Sequence, residues 1–159
     1  MSTSMMDDLD FMNIAYQEAK AGYEEGGIPI GAVLVAADGQ ILGRGRNMRI
    51  QKQSATLHAE ISALENAGRL DAKSYSGSTM YTTLSPCQMC TGACLLYKVS
   101  RVVLGENENF LGGEEHLKQT GVEVHNMRHE PSRELMQRYI RENAEDWYQD
   151  IGESIPSAR

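Results

Sequence analysis

Apolar positions recur along this chain with two alternating periods, and the alternation predicts its elements. "DDLDFMNIAYQEAKAGYEEGG" (residues 7–27) places Phe11, Ile14 and Ala15 at helical spacing behind an acidic start, and Gly26-Gly27 stop the helix. "IPIGAVLVAADGQILGRG" (28–45) follows as two β-rich runs around Asp38-Gly39, a short-range hairpin signal. Helical spacing returns in "SATLHAEISALENAGRL" (54–70): Ser54 or Thr56 is placed to cap, Ile61 and Leu64 to face a core, Gly68 to end the helix. A buried strand, "STMYTTLS" (78–85), runs into Pro86, which launches a helix over "CQMCTGACLLYK" (87–98). "RVVLGE" (101–106) reads as a further strand. After the Gly-rich turn "FLGGEE" come a short helix ending at Gly121 and a short strand, "VEVHNM" (122–127). From Pro131 one helical run extends to Glu153, and the polar tail "SIPSAR" is expected to fray.

Five strand candidates thus interleave with about five helices, which predicts an α/β domain with helices covering a mixed sheet. The first two strands form an antiparallel hairpin, and the later strand–helix–strand steps favour parallel pairing. No internal repeat, linker or low-complexity segment breaks the chain, so residues 1–159 read as one domain.

Composition narrows the function. With 41% hydrophobic and 23% charged residues the chain is an ordinary globular one, and its formal net charge of −7 is a poor footprint for a phosphate backbone. The N-terminus has neither a basic nor an apolar targeting region, and no run approaches a membrane span. Three cysteines, an odd number, argue against a disulfide framework. A soluble cytoplasmic protein with reduced thiols is expected.

The chemistry centres on "TLSPCQMC", residues 83–90. Cys87-x-x-Cys90 at a helix start suits a redox pair, because the helix dipole favours thiolate, and it also suits two structural thiols. A zinc site is the third reading, and it demands a further ligand from another element. Among the four histidines, His116, His125 and His129 read as solvated surface residues. His58 lies at a helix start instead, and two adjacent helices that begin at the same sheet edge would bring it to Cys87 and Cys90. Those cysteines are i, i+3 and can share one face, whereas Cys94 in "GACLLY" reads as a small core residue. Three ligands leave one tetrahedral position open, the pattern of a catalytic zinc. Glu60 then becomes the candidate proton shuttle. At i+2 it cannot comfortably chelate beside His58, but at a helix N-terminus it can reach a water at the ion.

"HAE" at 58–60 and "PCQMC" at 86–90 match the H-x-E…P-C-x-x-C signature of zinc-dependent cytidine/cytosine-type deaminases, with Cys87 29 positions after His58. Along nearly its whole length the chain resembles the small fungal-type cytosine deaminases, through "EGGIPIGAVLV", "LGRGRNMR", "YTTLSPCQMCTGA", "GENENF" and "DWYQDIGE". That resemblance implies a three-layer αβα sandwich around a five-stranded mixed sheet, a homodimer, and hydrolytic release of ammonia from a free pyrimidine base in pyrimidine salvage. Carried over position by position, it implies that His58, Cys87 and Cys90 bind one zinc ion and that Glu60 shuttles protons. Asn47 would hydrogen-bond the ring, and Asp150 would hold its edge and amino group. Phe110, Trp147 and Ile151 would wall and cover the pocket, with the backbone around Ala59, Leu84 and Ser85 gripping the base. The C-terminal helix, about 131–152, would be the lid. Ala59 departs from the glycine that fungal cytosine deaminases tend to carry, and "HAE" is usual in the related tRNA adenosine and guanine deaminases. The alternatives are therefore another aminated substrate (isocytosine, guanine, a nucleoside, tRNA adenosine) or a zinc-binding interaction domain without activity.

Overall fold

The structure is a computed structural model, described over residues 5–156. Its elements are α1 (Asp8–Glu24), β1 (Gly31–Val35), β2 (Ile41–Arg46), α2 (Arg49–Lys52) and α3 (Ala59–Ala67), followed by β3 (Thr79–Thr82) and α4 (Gln88–Leu96). The chain continues through β4 (Arg101–Leu104), α5 (Glu114–Gln119), β5 (Glu123–Asn126), α6 (Glu130–Glu142) and α7 (Ala144–Asp150). α1 begins where the acidic start predicts. Asp7 and Asp10 each accept the other's backbone N–H, at 2.9 and 3.0 Å, in a reciprocal capping box.

The sheet order is β2-β1-β3-β4-β5, with β1 antiparallel to both β2 and β3 and with β3, β4 and β5 parallel. Its central strands are buried on both sides, and the strand period of two sorts their residues into two cores. Val33, Val35, Tyr81 and Val103 pack with Phe11, Met12 and Ala15 of α1. Ala32, Leu34, Met80 and Val102 pack on the other face with Ala59, Ala63, Cys94 and Leu117 of α3, α4 and α5. α6 lies beside α1, where Tyr23 donates to Glu142 at 2.5 Å and Arg138 sits over the Tyr23 ring. Helices therefore cover both faces of a five-stranded mixed sheet.

Three expectations change. Neither Ser54 nor Thr56 caps α3: the Ser54 hydroxyl accepts from the Thr56 and Leu57 amides in a preceding turn, and the N-cap position falls to His58. Leu64 packs against the core as expected, though only partly buried, whereas Ile61 does not join it, and the fully buried face of α3 is formed by Ala59, Glu60, Ser62 and Ala63. The reason lies in β2. A Cβ on Gly45 would sit 2.6 Å from Ser62 Oγ and 2.7 Å from the Ala63 amide, so α3 lies almost on the strand and only small residues fit between. Finally, the C-terminal helix is two helices. Asn143 leaves helical geometry (φ −143°, ψ 52°), its N–H closing α6 on the Tyr139 carbonyl and its own carbonyl opening α7 for the Trp147 amide. Of the tail expected to fray, residues 154–156 are exposed without regular structure, and residues 157–159 lie outside the described chain.

Close packing of α3 on β2 is directly testable. Gly45→Ala inserts a methyl against the backbone of Ser62 and Ala63, which moves only with the helix, and a loss of about 1–3 kcal/mol in urea-monitored unfolding is expected. An unchanged midpoint would show that α3 can withdraw from the strand.

Candidate active site and metal centre

Two helices start at the same edge of the sheet, and their N-cap positions carry the chemistry. His58 precedes α3 and Cys87 precedes α4, both in extended backbone conformation and neither making a side-chain cap. A serine or aspartate there would stabilise its helix by about 1 kcal/mol. These positions forgo that gain, and their side chains turn toward each other. Cys87 Sγ lies 3.4 Å from His58 Nδ1, and with Cys90, one turn into α4 and fully buried, the donor atoms all fall within 4.8 Å of one another. Tetrahedral zinc with bonds of about 2.0–2.3 Å separates its ligands by roughly 3.5–4 Å, so this donor set fits it. The two helix N-termini add partial positive charge that favours thiolate ligands. Cys94, one turn further, packs in the core away from this cluster, and burial pushes its thiol up to about 12.

Beside the donors a small cavity is lined by Glu60, Ser85, Phe110, Trp147 and Asp150 together with His58 and Cys87. Phe110 and Trp147 meet edge to face, 6.0 Å between centroids at 84°. Leu84 and Ile151 also line the cavity, as does Ile30. Asp150, the buried last residue of α7, is the hub of the polar side. Its Oδ2 accepts from Asn47 Nδ2 at 2.9 Å, while Oδ1 lies 3.3 Å from His58 Nε2 and 3.7 Å from Arg49. Neither of the latter two is aligned as a hydrogen-bond donor, so Oδ1 is a buried acceptor with its capacity open beside the cavity. Asn47, fully buried, accepts from the Arg49 amide with its other side-chain atom and reaches the cavity only through Asp150. Ala59 is buried at the first turn of α3.

The family description "Cytidine and deoxycytidylate deaminase zinc-binding region" matches residues 5–106. The chain is 55% identical over 147 residues to the cytosine deaminase of Candida albicans, covering 92% of this chain and 98% of that one. It belongs to this zinc-binding deaminase family. A tRNA-specific adenosine deaminase of Bacillus subtilis is 42% identical over 102 residues, covering 64% of this chain and 63% of the relative. A solved structure from work on A-to-I editing by tRNA:A34 deaminases superposes with a TM-score of 0.68 at 30% identity, covering 80% of this chain and 99% of that one. The guanine deaminase of Nitrosomonas europaea shares the fold, with a TM-score of 0.70 at 20% identity over 87% of this chain and 86% of its own.

The electrostatics of the metal-free deaminase follow from crowding three titratable ligands and two carboxylates. Burial disfavours the charged His58 ring, but the Asp150 and Cys87 contacts outweigh it and push its pKa up to about 10. The two thiols share one proton: Cys87 is drawn down to about 4, mainly by Cys90, and Cys90 is pushed up by Cys87 and by burial. Glu60, 4% exposed, is pushed up to about 7 by burial and by the Cys87 charge. A carboxyl group poised there exchanges protons readily at neutral pH.

Sequence reasoning passed over several residues of this site. Arg49, beside the buried Asp150 carboxylate, carries no signal in "NMRI" beyond its charge. Ile30 read only as a strand neighbour, and Glu114, which reaches Ser85, fell in the Gly-rich turn "FLGGEE". Of the histidines expected at the surface, His116 and His125 are exposed. His129 is half-buried instead, edge-on to Tyr16 with Nδ1 2.7 Å from Ser132 Oγ, because α6 begins against α1.

Zinc uptake should carry the mark of these ligand protons. His58 and Cys90 hold protons at neutral pH in the metal-free protein and must lose them to bind, so affinity should rise with pH, by about tenfold per unit for each proton displaced. Competition titration with a chromophoric chelator between pH 6 and 8 measures this slope. A flat profile would mean that the donors are already deprotonated.

Proposed function

We propose that this deaminase hydrolyses the exocyclic amino group of a free pyrimidine base, converting cytosine and water to uracil and ammonia. The observation that carries the reading is Asp150 Oδ1, a buried acceptor without an aligned donor, beside the metal donors and at the edge of the inner cavity. In this closed arrangement the cavity holds about 20 Å³, room for one water, so a base enters with the α7 cover lifted. A ring amino group offers the donor that Oδ1 lacks, next to a carboxyl group poised to move protons. The strong likeness to the Candida albicans cytosine deaminase over almost the whole of both chains supports the same substrate.

His58, Cys87 and Cys90 would hold the zinc, which when bound supplies Lewis-acid activation of water at neutral pH. Glu60 would carry one proton of that water to the ring nitrogen and then the second proton of the same oxygen to the amine, which leaves as ammonia while the oxygen stays as the ring carbonyl. Asp150 orients the amino group, and Asn47 acts on the ring through Asp150, whose Oδ2 it holds. Phe110, Trp147 and Ile151 sandwich and cover the base, while the backbone at Ala59, Leu84 and Ser85 fixes its edge. Closure of α7 over the ring excludes water, which strengthens each of these contacts. The outer cleft leading to the cavity carries Glu115 and Glu153 and no lysine or arginine among its lining residues, which disfavours a polynucleotide substrate.

The remaining elements of the reading follow the same chemistry. Thiolate ligands and three free cysteines suit the reducing cytoplasm, and a free-base deaminase serves pyrimidine salvage. A homodimer is supported by α4, which presents Met89, Leu96 and Tyr97 to solvent at 37%, 71% and 43% exposure along one stripe.

Two measurements test this. Glu60→Gln should keep its zinc and lose cytosine turnover by about a hundredfold or more, as expected for loss of a proton shuttle; near-normal ultraviolet-monitored turnover would remove that role. Wild-type protein should consume cytosine and leave cytidine untouched, and activity confined to isocytosine or guanine would replace the substrate while keeping the chemistry. For the assembly, Leu96→Glu should shift the sedimentation coefficient from dimer to monomer, and a wild-type monomer at micromolar concentration would refute the dimer.

A further inference from the structure

Glu114 is not part of the cavity wall, yet it is 7% exposed and its carboxylate ends on a residue that is. Ser85 Oγ donates to Glu114 Oε2 at 2.6 Å and accepts from the Gly112 amide at 2.9 Å. The second carboxylate oxygen has only Asn107 Nδ2, at 3.4 Å. A buried carboxylate with so few partners costs stability rather than adding it, which calls for a role other than holding the fold.

The surroundings show what the carboxylate joins. Residues 105–113 form the loop from which Phe110 projects into the cavity, and the turn opposite holds Leu84, Ser85 and the ligand Cys87. Backbone bonds stitch loop to turn on both sides of the Ser85 hydroxyl: Ser85 N donates to the Glu106 carbonyl at 2.9 Å, and Gly113 N to the Pro86 carbonyl at 2.8 Å. The approach is as close as backbone allows, since a Cβ on Gly112 would lie 1.9 Å from the Pro86 oxygen. Glu114 closes this seam from the first turn of α5, by way of one hydroxyl that contacts both the cavity floor and the Phe110 loop. Glu60 and His58, by contrast, stand at the start of α3 and share no hydrogen bond with Ser85, Glu114 or the Phe110 loop; His58 meets the turn only at Cys87.

We infer that Glu114 is a positioning residue for base recognition: through Ser85 it sets the spacing between the cavity floor and the Phe110 wall. It therefore governs how tightly the ring is held rather than how fast its C–N bond breaks. This rests on the deaminase reading above.

The test uses zinc-loaded wild type, Glu114→Ala, Glu114→Gln and Ser85→Ala. Zinc content is checked first, then KM and kcat for cytosine. Trp147, the only tryptophan, stands against Phe110, so its fluorescence gives a dissociation constant for the product uracil without turnover. Loss of one buried hydrogen bond in the seam should raise KM and the uracil dissociation constant about tenfold in Glu114→Ala, with kcat within about twofold and zinc retained. Glu114→Gln should restore most of the affinity, because its amide oxygen still accepts from Ser85 and Asn107 can turn its own oxygen to the new NH₂. A merely structural carboxylate would lower the unfolding midpoint and leave base affinity unchanged. Unchanged KM and uracil affinity in Glu114→Ala, a fall in kcat at constant KM, or a glutamine variant as poor as alanine would each overturn the inference. Should Glu114→Ala not fold, Ser85→Ala decides: weakened uracil binding beside a near-normal Glu114→Gln supports the seam, and wild-type binding overturns it. Zinc-loaded wild type that is inert toward cytosine would be seen before any variant is compared, and would overturn the substrate reading and this inference with it.

Discussion

Two helix N-termini, those of α3 and α4, must meet at one edge of the sheet for any of this chemistry to exist, and much of the architecture follows from that meeting. His58 and Cys87 occupy the N-cap positions, where a polar cap would normally satisfy orphan amides, and direct their side chains at a shared point instead. The aligned peptide dipoles of both helices then stabilise negative charge on the thiols. Bringing α3 there requires near contact with β2, and the glycines of that strand permit it. Bringing α4 there requires β3 to end at the same edge, which its antiparallel pairing to β1 and parallel pairing to β4 arrange.

A second constraint is the burial of charge. Asp150 is 6% exposed, and its partners come from two separate stretches: Asn47 and Arg49 after β2, and His58 before α3. The Asp150 carboxylate sets the last helix of the chain beside the His58 ring, 3.3 Å from Nε2, without an aligned hydrogen bond between them. It also couples the cover of the cavity to its chemistry, because α7 carries both Trp147 and Asp150. The break at Asn143 matters for this reason. One continuous helix from residue 131 would carry both side chains along the α6 axis, whereas the break gives α7 a direction of its own.

Polar seams, rather than further apolar packing, hold the rest of the cavity in shape. The Ser85–Glu114 pair and the backbone bonds around it connect the floor to the Phe110 loop, and Glu106 gathers the Glu108 and Asn109 amides to shape the same loop. Such groups stabilise little on their own terms. They are specific in direction, which apolar contacts are not.

Periodicity in the sequence sufficed for the five strands, the hairpin, the parallel second half and the positions of most helices, because these depend on residues close together in the chain. The zinc donors and Glu60 were legible for the same reason: His58 with Glu60, and Cys87 with Cys90, are short local patterns whose chemistry is incomplete alone and complete together. The roles of Asn47, Phe110, Trp147 and Asp150 rested on resemblance, since nothing local distinguishes a functional asparagine from one in a loop or a single tryptophan from a core anchor. What the sequence could not reveal is whatever depends on two distant segments touching. Ser54 looked like a cap until the chain turned before α3, and Ile61 looked like core until glycines in β2 drew the helix in. One C-terminal helix became two, and Glu114 was one residue of a Gly-rich turn until Ser85 lay against it. Short-range pattern determines which elements form and which side chains can do chemistry. Distances between elements, set by close packing and buried polar bonds, decide which of those side chains meet.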